Sequence, residues 1–445
     1  MELQELFHQN PWWKDKSLIE KDYDLVKWGE RKYKWIPKLV DSVELHPFSL
    51  HFVLGPRQAG KTTALKLLIQ KLLSQGHEPK SLFYFNCENV GGFKELSEVL
   101  ALYREFKEGN ALKNSILFFD EITLPKEWYR AVKFEIDIGK LRNDVVILTG
   151  SSSIAVKREV ELFPGRRGQG KDYTLLPLSF REFVKIIDPN LEKNIPAFTS
   201  FADLEQKVPS ALLYESELQK HLSDYMEYGG YPLSVSNLHG SKEEAKRVYS
   251  TWIKNAFLKA ERSDIIAKQI VKVLVETMQT DISWEKASQE IELKSPKTVF
   301  AYVDLLRSIF ALNILYNLDP NKKKISFGRN KKIYVRDPLL LDIFEEWGFV
   351  RVKDRAACMA ETLVVEQLVR MFPEKTFFWK NGFEVDAMVL EKNKLYGFEV
   401  KWSEQPQAKR LSQLEKFFII SKKGYHKEPC TIPLAVFLGM CGKQQ

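Results

Sequence analysis

The first half of this chain predicts an α/β fold built on a parallel sheet covered on both faces. One observation is a series of short, near-continuous apolar runs: Ser49-Leu50-His51-Phe52-Val53-Leu54, Ser81-Leu82-Phe83-Tyr84-Phe85, Ile116-Leu117-Phe118-Phe119 and Val145-Val146-Ile147-Leu148. Strands buried on both faces carry such runs, whereas half-exposed strands alternate. The second observation is the set of amphipathic helical stretches between the runs, the alternation that parallel sheets need for their crossovers. A third is the glycine-containing turn that joins the first run to a helix over 63–73.

Length and composition agree with several globular domains. The chain has 445 residues, 44% hydrophobic and 28% charged, enough for about three domains at roughly 150 residues each. That excludes a small stapled scaffold and a disordered chain. The longest apolar stretches, 431–440 and 115–119, fall short of the roughly 20 residues a membrane span needs, and the N-terminus lacks a secretory signal pattern. A cytoplasmic protein is expected. Four scattered cysteines, Cys87, Cys358, Cys430 and Cys441, form no CxxC pair and suggest neither zinc nor disulfides. The net charge of +8 permits a polyanionic partner without requiring one.

Gly55-Pro56-Arg57-Gln58-Ala59-Gly60-Lys61-Thr62, followed by Thr63, fits G-x-x-x-x-G-K-[ST] between a strand and a helix. The chemistry explains the pattern: backbone N–H groups wrap the β-phosphate, Lys61 reaches the β/γ oxygens, and the Thr62 hydroxyl ligates Mg²⁺. ATP and Mg²⁺ are therefore the expected cofactors. The run 116–119 ends in Asp120 and Glu121; Asp120 would hold Mg²⁺, and Glu121 would act as the general base on the attacking water. After the next run, Thr149, or failing it Ser151, could position that water, although a plain turn explains these residues as well. Arg166 and Arg167 lie in a Gly-containing loop. Either could act as an arginine finger in a homo-oligomer, a hexamer being one candidate, or both could be merely solvated.

Ser179 and Glu182 are spaced as a capping box at the start of a helix. The P-loop, Phe119-Asp120-Glu121, Leu148-Thr149-Gly150-Ser151-Ser152, Leu176-Pro177-Leu178-Ser179-Phe180-Arg181-Glu182-Phe183 and Tyr228-Gly229-Gly230-Tyr231-Pro232 together resemble the archaeal and bacterial AAA+ ATPases that carry a C-terminal domain of unknown function. The resemblance spans nearly the whole chain. It implies an AAA+ P-loop NTPase core with Asp120 and Glu121 as its acidic strand end, and leaves the biological role open.

From about 190 to 280 the pattern is helical, as in a lid or connector. Residues 282–318 then read as two short helices and a longer one, with Ser295 as N-cap and Pro296 at the first helical position. With the basic stretch Lys322-Lys323-Lys324, Arg329, Lys331-Lys332, this looks like a winged helix with a cationic wing. Its uses are phosphate contacts to DNA or packing between domains.

The last hundred residues hold Glu361 in a helix, Asp386 in a strand, and Glu399 and Lys401 two apart on the next strand, which puts both on one face with Val400 facing the core. An amphipathic helix over 405–420 and a strand over 431–438 are expected to follow. This order resembles the PD-(D/E)xK nuclease fold, a restriction-endonuclease-like α+β domain. The resemblance implies Asp386 and Glu399 as Mg²⁺ ligands, Glu361 as an outer carboxylate and Lys401 as the group that orients water. Val385 stands where the motif has Pro. Alternatively, Glu399 and Lys401 are a surface ion pair, or the fold persists without activity.

The expected organisation is an AAA+ core over 1–200, a helical lid over 201–275, a winged helix over 276–335 and a nuclease-like domain over 336–445. The expected function is Mg²⁺-dependent ATP hydrolysis coupled to DNA binding or cleavage. The alternative is an ATP-switched protein or DNA interaction module without nuclease activity, and a third reading is a transcription regulator using the winged helix.

Overall fold

A computed structural model of the chain describes residues 2–151, 163–293, 295–403 and 411–442. These form two compact units, 1–176 and 177–445.

The first unit holds a five-stranded sheet in the order β2-β3-β4-β1-β5, with β1 Ser49–Leu54, β2 Leu82–Asn86, β3 Ile116–Asp120, β4 Val145–Gly150 and β5 Asp172–Thr174. Neighbouring strands pair in parallel throughout. The four expected runs are thus strands, and the insertion of β4 between β1 and β3 places the carboxyl ends of these three side by side, where open α/β sheets bind ligands. The fifth strand lies outside the expectation: it has three residues, two of them exposed, too short and too polar to stand out.

The edge of β2 is closed by side chains rather than by another strand. Asn10 donates from Nδ2 to Tyr84 O at 2.9 Å and accepts Tyr84 N–H on Oδ1 at 2.7 Å. Trp12 and Trp13 each donate from Nε1 to Leu82 O, at 2.9 and 3.0 Å, and Gln9 Oε1 accepts Asn86 N–H at 2.8 Å. The exposed edge is satisfied without a template for a further strand. Trp13 also stacks on Phe106 with ring centroids 4.3 Å apart.

In the second unit the described residues from 189 to 308 form helices without strands, as expected. The close approach of Leu178 to Gly230 accounts for two of the sequence motifs at once. Leu178 N–H donates to Gly230 O at 2.8 Å, and a Cβ on Gly230 would lie 2.0 Å from Leu178 O. Tyr225 OH donates to the same Leu178 carbonyl at 2.7 Å. Only glycine fits here, so the Leu178 and Tyr228–Pro232 segments form one packing unit. The Ser179–Glu182 capping box is formed at the start of the helix Phe180–Ile187.

A seven-stranded sheet follows, ordered β12-β11-β10-β9-β8-β6-β7: β6 Leu312–Asp319, β7 Lys324–Val335, β8 Thr376–Asn381, β9 Phe383–Glu391, β10 Lys394–Lys401, β11 Lys416–Ser421 and β12 Thr431–Pro433. Within 282–318 the two helices Trp284–Glu290 and Pro296–Ser308, where three were expected, precede the β6–β7 hairpin. The hairpin, however, joins β8 through β6, and the expected boundary at 335/336 falls where β7 ends within this shared sheet.

Two expectations near the C-terminus are corrected. Of 405–420, residues 416–420 belong to β11, which pairs in parallel with β10 with Tyr396 opposite Lys416; residues 404–410 lie outside the described residues. The Leu411, Leu414, Phe417 and Phe418 pattern fits helical spacing, yet Lys416-Phe417-Phe418-Ile419-Ile420 is also an aromatic and β-branched run, and sheet pairing decides it. The expected strand over 431–438 is a three-residue strand followed by the helix Leu434–Met440, since an apolar run buried all round does not reveal its period. Among the described residues no helix is long and apolar enough to cross a membrane.

Candidate functional site

The loop after β1 has the shape its sequence requires. Gly60 takes φ +95° as N-cap of the helix Lys61–Ser74, a left-handed conformation natural to glycine. A Cβ on Gly55 would lie 2.0 Å from Leu175 O. Pro56 and Ala59 are buried, Arg57, Gly60, Thr62 and Thr63 are partly exposed, and Gln58 is exposed with φ +61°. Lys61 folds back over the loop, its Nζ donating to Gly55 O at 3.1 Å and Pro56 O at 3.0 Å and lying 3.5 Å from Glu121 Oε1.

At the end of β3, Asp120 is buried and accepts from three hydroxyls: Thr62 on Oδ2, Tyr84 on Oδ2 at 3.1 Å, and Thr149 on Oδ1. Thr149 Oγ1 also accepts Glu121 N–H at 2.9 Å. Thr149 thus bridges both members of the acidic pair, its hydroxyl proton going to Asp120. Glu121 has φ +50°, and its Oε2 is buried with no hydrogen-bond partner. Backbone strain and an unpartnered carboxylate oxygen at a strand tip mark functional sites. Thr62 and Asp120 hold an oxygen-only donor pair of the kind Mg²⁺ takes with phosphate oxygens and water, so these residues fit the ion.

Tyr84 was not expected at the site. Burial first, then the Asp120 charge, raise its hydroxyl well above the ordinary tyrosine value, so it stays a donor. Its alternation with buried Phe83 and Phe85 on β2 gives no sign of a polar role.

Arg166 and Arg167 are both engaged within their own unit. Arg166 Nε lies 2.6 Å from Asp137 Oδ1, and Arg167 Nη2 lies 2.6 Å from Asp172 Oδ1 with its guanidinium over the Phe52 ring. The loop is also tied to β1 by Leu50 N–H donating to Arg167 O at 3.0 Å, so neither arginine is merely solvated.

In the second unit the structure brings Glu361, Asp386, Glu399 and Lys401 to one region and adds three residues that the sequence did not suggest. Lys332, with 1% of its side chain exposed, places Nζ 2.8 Å from Glu361 Oε1 and 3.2 Å from Asp386 Oδ1, and also pairs with Glu384. Tyr334 OH donates to Glu361 Oε1 at 2.6 Å. Asp386 Oδ2 accepts Val400 N–H at 2.9 Å, and Lys401 Nζ lies 2.6 Å from Glu399 Oε1. Glu399 and Lys401 share a face as their spacing required, but the expected burial does not hold there: Glu399 is buried, and Val400 is half-buried like Lys401. Burial would lower the Lys332 ammonium, but the Tyr334 hydroxyl and the Glu361, Asp386 and Glu384 carboxylates outweigh it and hold it well above the ordinary lysine value. Burial, then Asp386, push Glu361 up, and the same two causes bring Glu399 up to about 7.

Lys332 does not belong to a solvated wing, as expected from Lys331-Lys332, and Lys331 is buried too, with its ammonium over the Trp284 ring. Lys332 and Tyr334 stand two apart on β7, and Glu384 and Asp386 two apart on β9; this period-2 spacing was the available signal. The residues do not fit a divalent ion. A Mg²⁺ about 4 Å from a fixed ammonium meets repulsion on the order of 8 kcal/mol at an effective dielectric constant of about 20. Among the described residues no group of three or more His, Cys, Asp or Glu side chains is arranged to hold a metal. Asp386 and Glu399, expected as metal ligands, instead surround or adjoin lysine ammonium groups.

Fold, loop and acidic strand end give the first unit a P-loop NTPase fold. Residues 47–184 match the family described as an AAA domain, and residues 358–432 match a domain of unknown function, DUF4143. An uncharacterized protein of Methanocaldococcus jannaschii is 26% identical over 371 residues, covering 79% of this chain and 74% of that protein. Among solved structures, the Aeropyrum pernix ORC2 protein in its ADPNP-ADP complexes is 13% identical over 70% of this chain and 90% of its own, with a TM-score of 0.37. The ORC1 protein of the same organism in complex with DNA is 11% identical over 75% and 96%, with a TM-score of 0.33.

Proposed function

We propose that the chain is a Mg²⁺-dependent ATPase whose first unit binds and hydrolyses ATP and whose second unit engages DNA under control of that cycle. The observation that carries the ATPase reading is the assembled network of Thr62, Asp120, Thr149, Glu121 and Lys61. ATP would draw the Lys61 ammonium from the Gly55 and Pro56 carbonyls onto the β/γ oxygens, which also loosens its pair with Glu121. Glu121 would then accept the proton of the water attacking the γ-phosphate. Thr62 and Asp120 would hold Mg²⁺, which neutralises phosphate charge when bound. Homo-oligomerisation would let Arg166 or Arg167 exchange its aspartate for a neighbour's γ-phosphate.

The DNA reading rests on the exposed hairpin tip, where Lys322, Lys323, Lys324 and Arg329 surround an exposed Phe327. Such a surface suits phosphate contacts with base stacking. For the role of the second unit, the buried Lys332 favours an ATP-switched binding module over metal-dependent cleavage. Nucleotide binding by Lys61→Ala tests the first part: affinity for ATP should be lost, and a variant with full turnover overturns the site. Incubation with linear and branched DNA and Mg²⁺ or Mn²⁺ tests the second, with nicking that Asp386→Ala abolishes as the result that restores the nuclease reading.

A further inference from the structure

Lys332 reaches its partners from an unexpected direction. In the sheet, β7 and β9 are separated by β6 and β8, about 14 Å along a flat sheet at roughly 4.8 Å per strand. A lysine side chain cannot span that, so the sheet must curl around the helix Arg355–Met371, which packs against β7, β8, β9 and β10. The curl delivers carboxylates from two elements to one ammonium: Glu361 from the helix, and Glu384 and Asp386 from β9. Tyr334 completes the shell from the same face of β7 as Lys332.

The shell is not neutral. Four carboxylates, Glu361, Glu384, Asp386 and Glu399, face three ammonium groups: Lys332 at the centre, Lys380 3.2 Å from Glu384 Oε2, and Lys401 on Glu399 Oε1, whose Oε2 is buried with no hydrogen-bond partner. An acidic pocket with surplus negative charge and an orphaned carboxylate oxygen is a cation site by its chemistry. What distinguishes it from the Thr62–Asp120 site is that its cation is part of the chain.

We propose that Lys332 is the resident cation of this pocket: its ammonium occupies the place of a divalent ion among Glu361, Glu384 and Asp386, and removing its charge turns the pocket into a Mg²⁺ or Mn²⁺ site completed by Glu399. This deepens, and rests on, the reading of the second unit as a module without metal-dependent cleavage. Because the pocket draws on three strands and a helix, Lys332 also ties the β6–β7 hairpin to the carboxylate-bearing strands. Neutralising it therefore exchanges an internal tie for an external, metal-dependent one.

The test measures Mn²⁺ binding to the full, nucleotide-free chain by electron paramagnetic resonance, counting only binding that Asp386→Asn removes. ATP turnover and DNA binding are scored separately, so that loss of the ATPase reading leaves this result standing. Wild type should show no such Mn²⁺, whereas Lys332→Met should bind one ion at least about tenfold more tightly, once the repelling ammonium is gone, and should be stabilised against heating by Mn²⁺. Mn²⁺ held by wild type through Asp386 overturns the proposal, as does a folded Lys332→Met that binds none. Should Lys332→Met fail to fold without metal, Lys332→Gln, which keeps a donor toward Glu361, takes its place under the same criteria.

Discussion

Thr149 Oγ1 accepts the backbone N–H of Glu121 at 2.9 Å while donating its proton to the Asp120 carboxylate. One hydroxyl on β4 thereby fixes both acidic residues at the end of β3. Thr149→Val keeps the volume but leaves the Glu121 N–H unpaired and Asp120 short of one donor. Turnover should fall about 10–100-fold, the usual cost of removing a group that orients a metal or catalytic ligand, while ATP affinity without Mg²⁺ changes little. Thr149→Ser should restore most of the rate. Steady-state kinetics with and without Mg²⁺ separate these outcomes, and a Thr149→Val enzyme at full rate sinks the positioning role.

Glu121→Gln should separate binding from chemistry. The amide keeps the shape at the strand tip but cannot take a proton from water, so turnover should drop by about 10²–10⁴-fold. Affinity for ATP should hold or rise, because the 3.5 Å pair that draws Lys61 toward Glu121 is gone. Equilibrium binding of a fluorescent ATP analogue beside a phosphate-release assay reads both quantities.

Asn10→Ala should weaken the first unit by about 2–4 kcal/mol, since it strips a donor and an acceptor from the buried main chain of Tyr84. The loosened β2 edge would also invite association. Urea unfolding with light scattering measures both effects. A drop in ATP turnover should accompany them, because Tyr84 reaches Asp120.

How much was legible beforehand depended on whether the signal was local. Gly55 through Thr62 and the run ending at Asp120 and Glu121 are contiguous stretches whose chemistry demands their spacing, and they stand where the sequence put them. The β9–β10 turn at Lys392-Asn393, with both φ positive, was legible for the same reason. The sealing of β2 by Gln9, Asn10, Trp12 and Trp13 was not, because side chains that bond to a backbone some seventy residues away leave no periodicity. Lys332 was misread because a run of lysines is ordinarily a solvated face, and only the curl of the sheet brings acids from the helix and β9 around it. In 411–420 and 431–440 the apolar positions satisfy helix and strand alike, and pairing partners made the choice.

Asp337 carries the clearest pH signature. It is fully buried, accepts Gly230 N–H on Oδ2 at 2.8 Å and Leu339 N–H on Oδ1 at 2.9 Å, and burial raises it from 3.8 to about 7. Since the folded value lies above the unfolded one, the folded state binds more protons between about pH 4 and pH 7. The contribution of Asp337 to stability is therefore fullest below about pH 4, declines as pH rises toward 7, and levels off above it, a total of about 4 kcal/mol at 1.36 kcal/mol per unit. Asp337→Asn does not titrate and pays a constant cost for the unpaired Gly230 N–H at every pH. The difference in urea-unfolding stability, wild type minus variant, should therefore shrink from pH 5 to 7 and stay constant from 7 to 8.5. A difference independent of pH over that range would mean that the two main-chain donors, rather than burial, set the charge of Asp337 and keep it ionised.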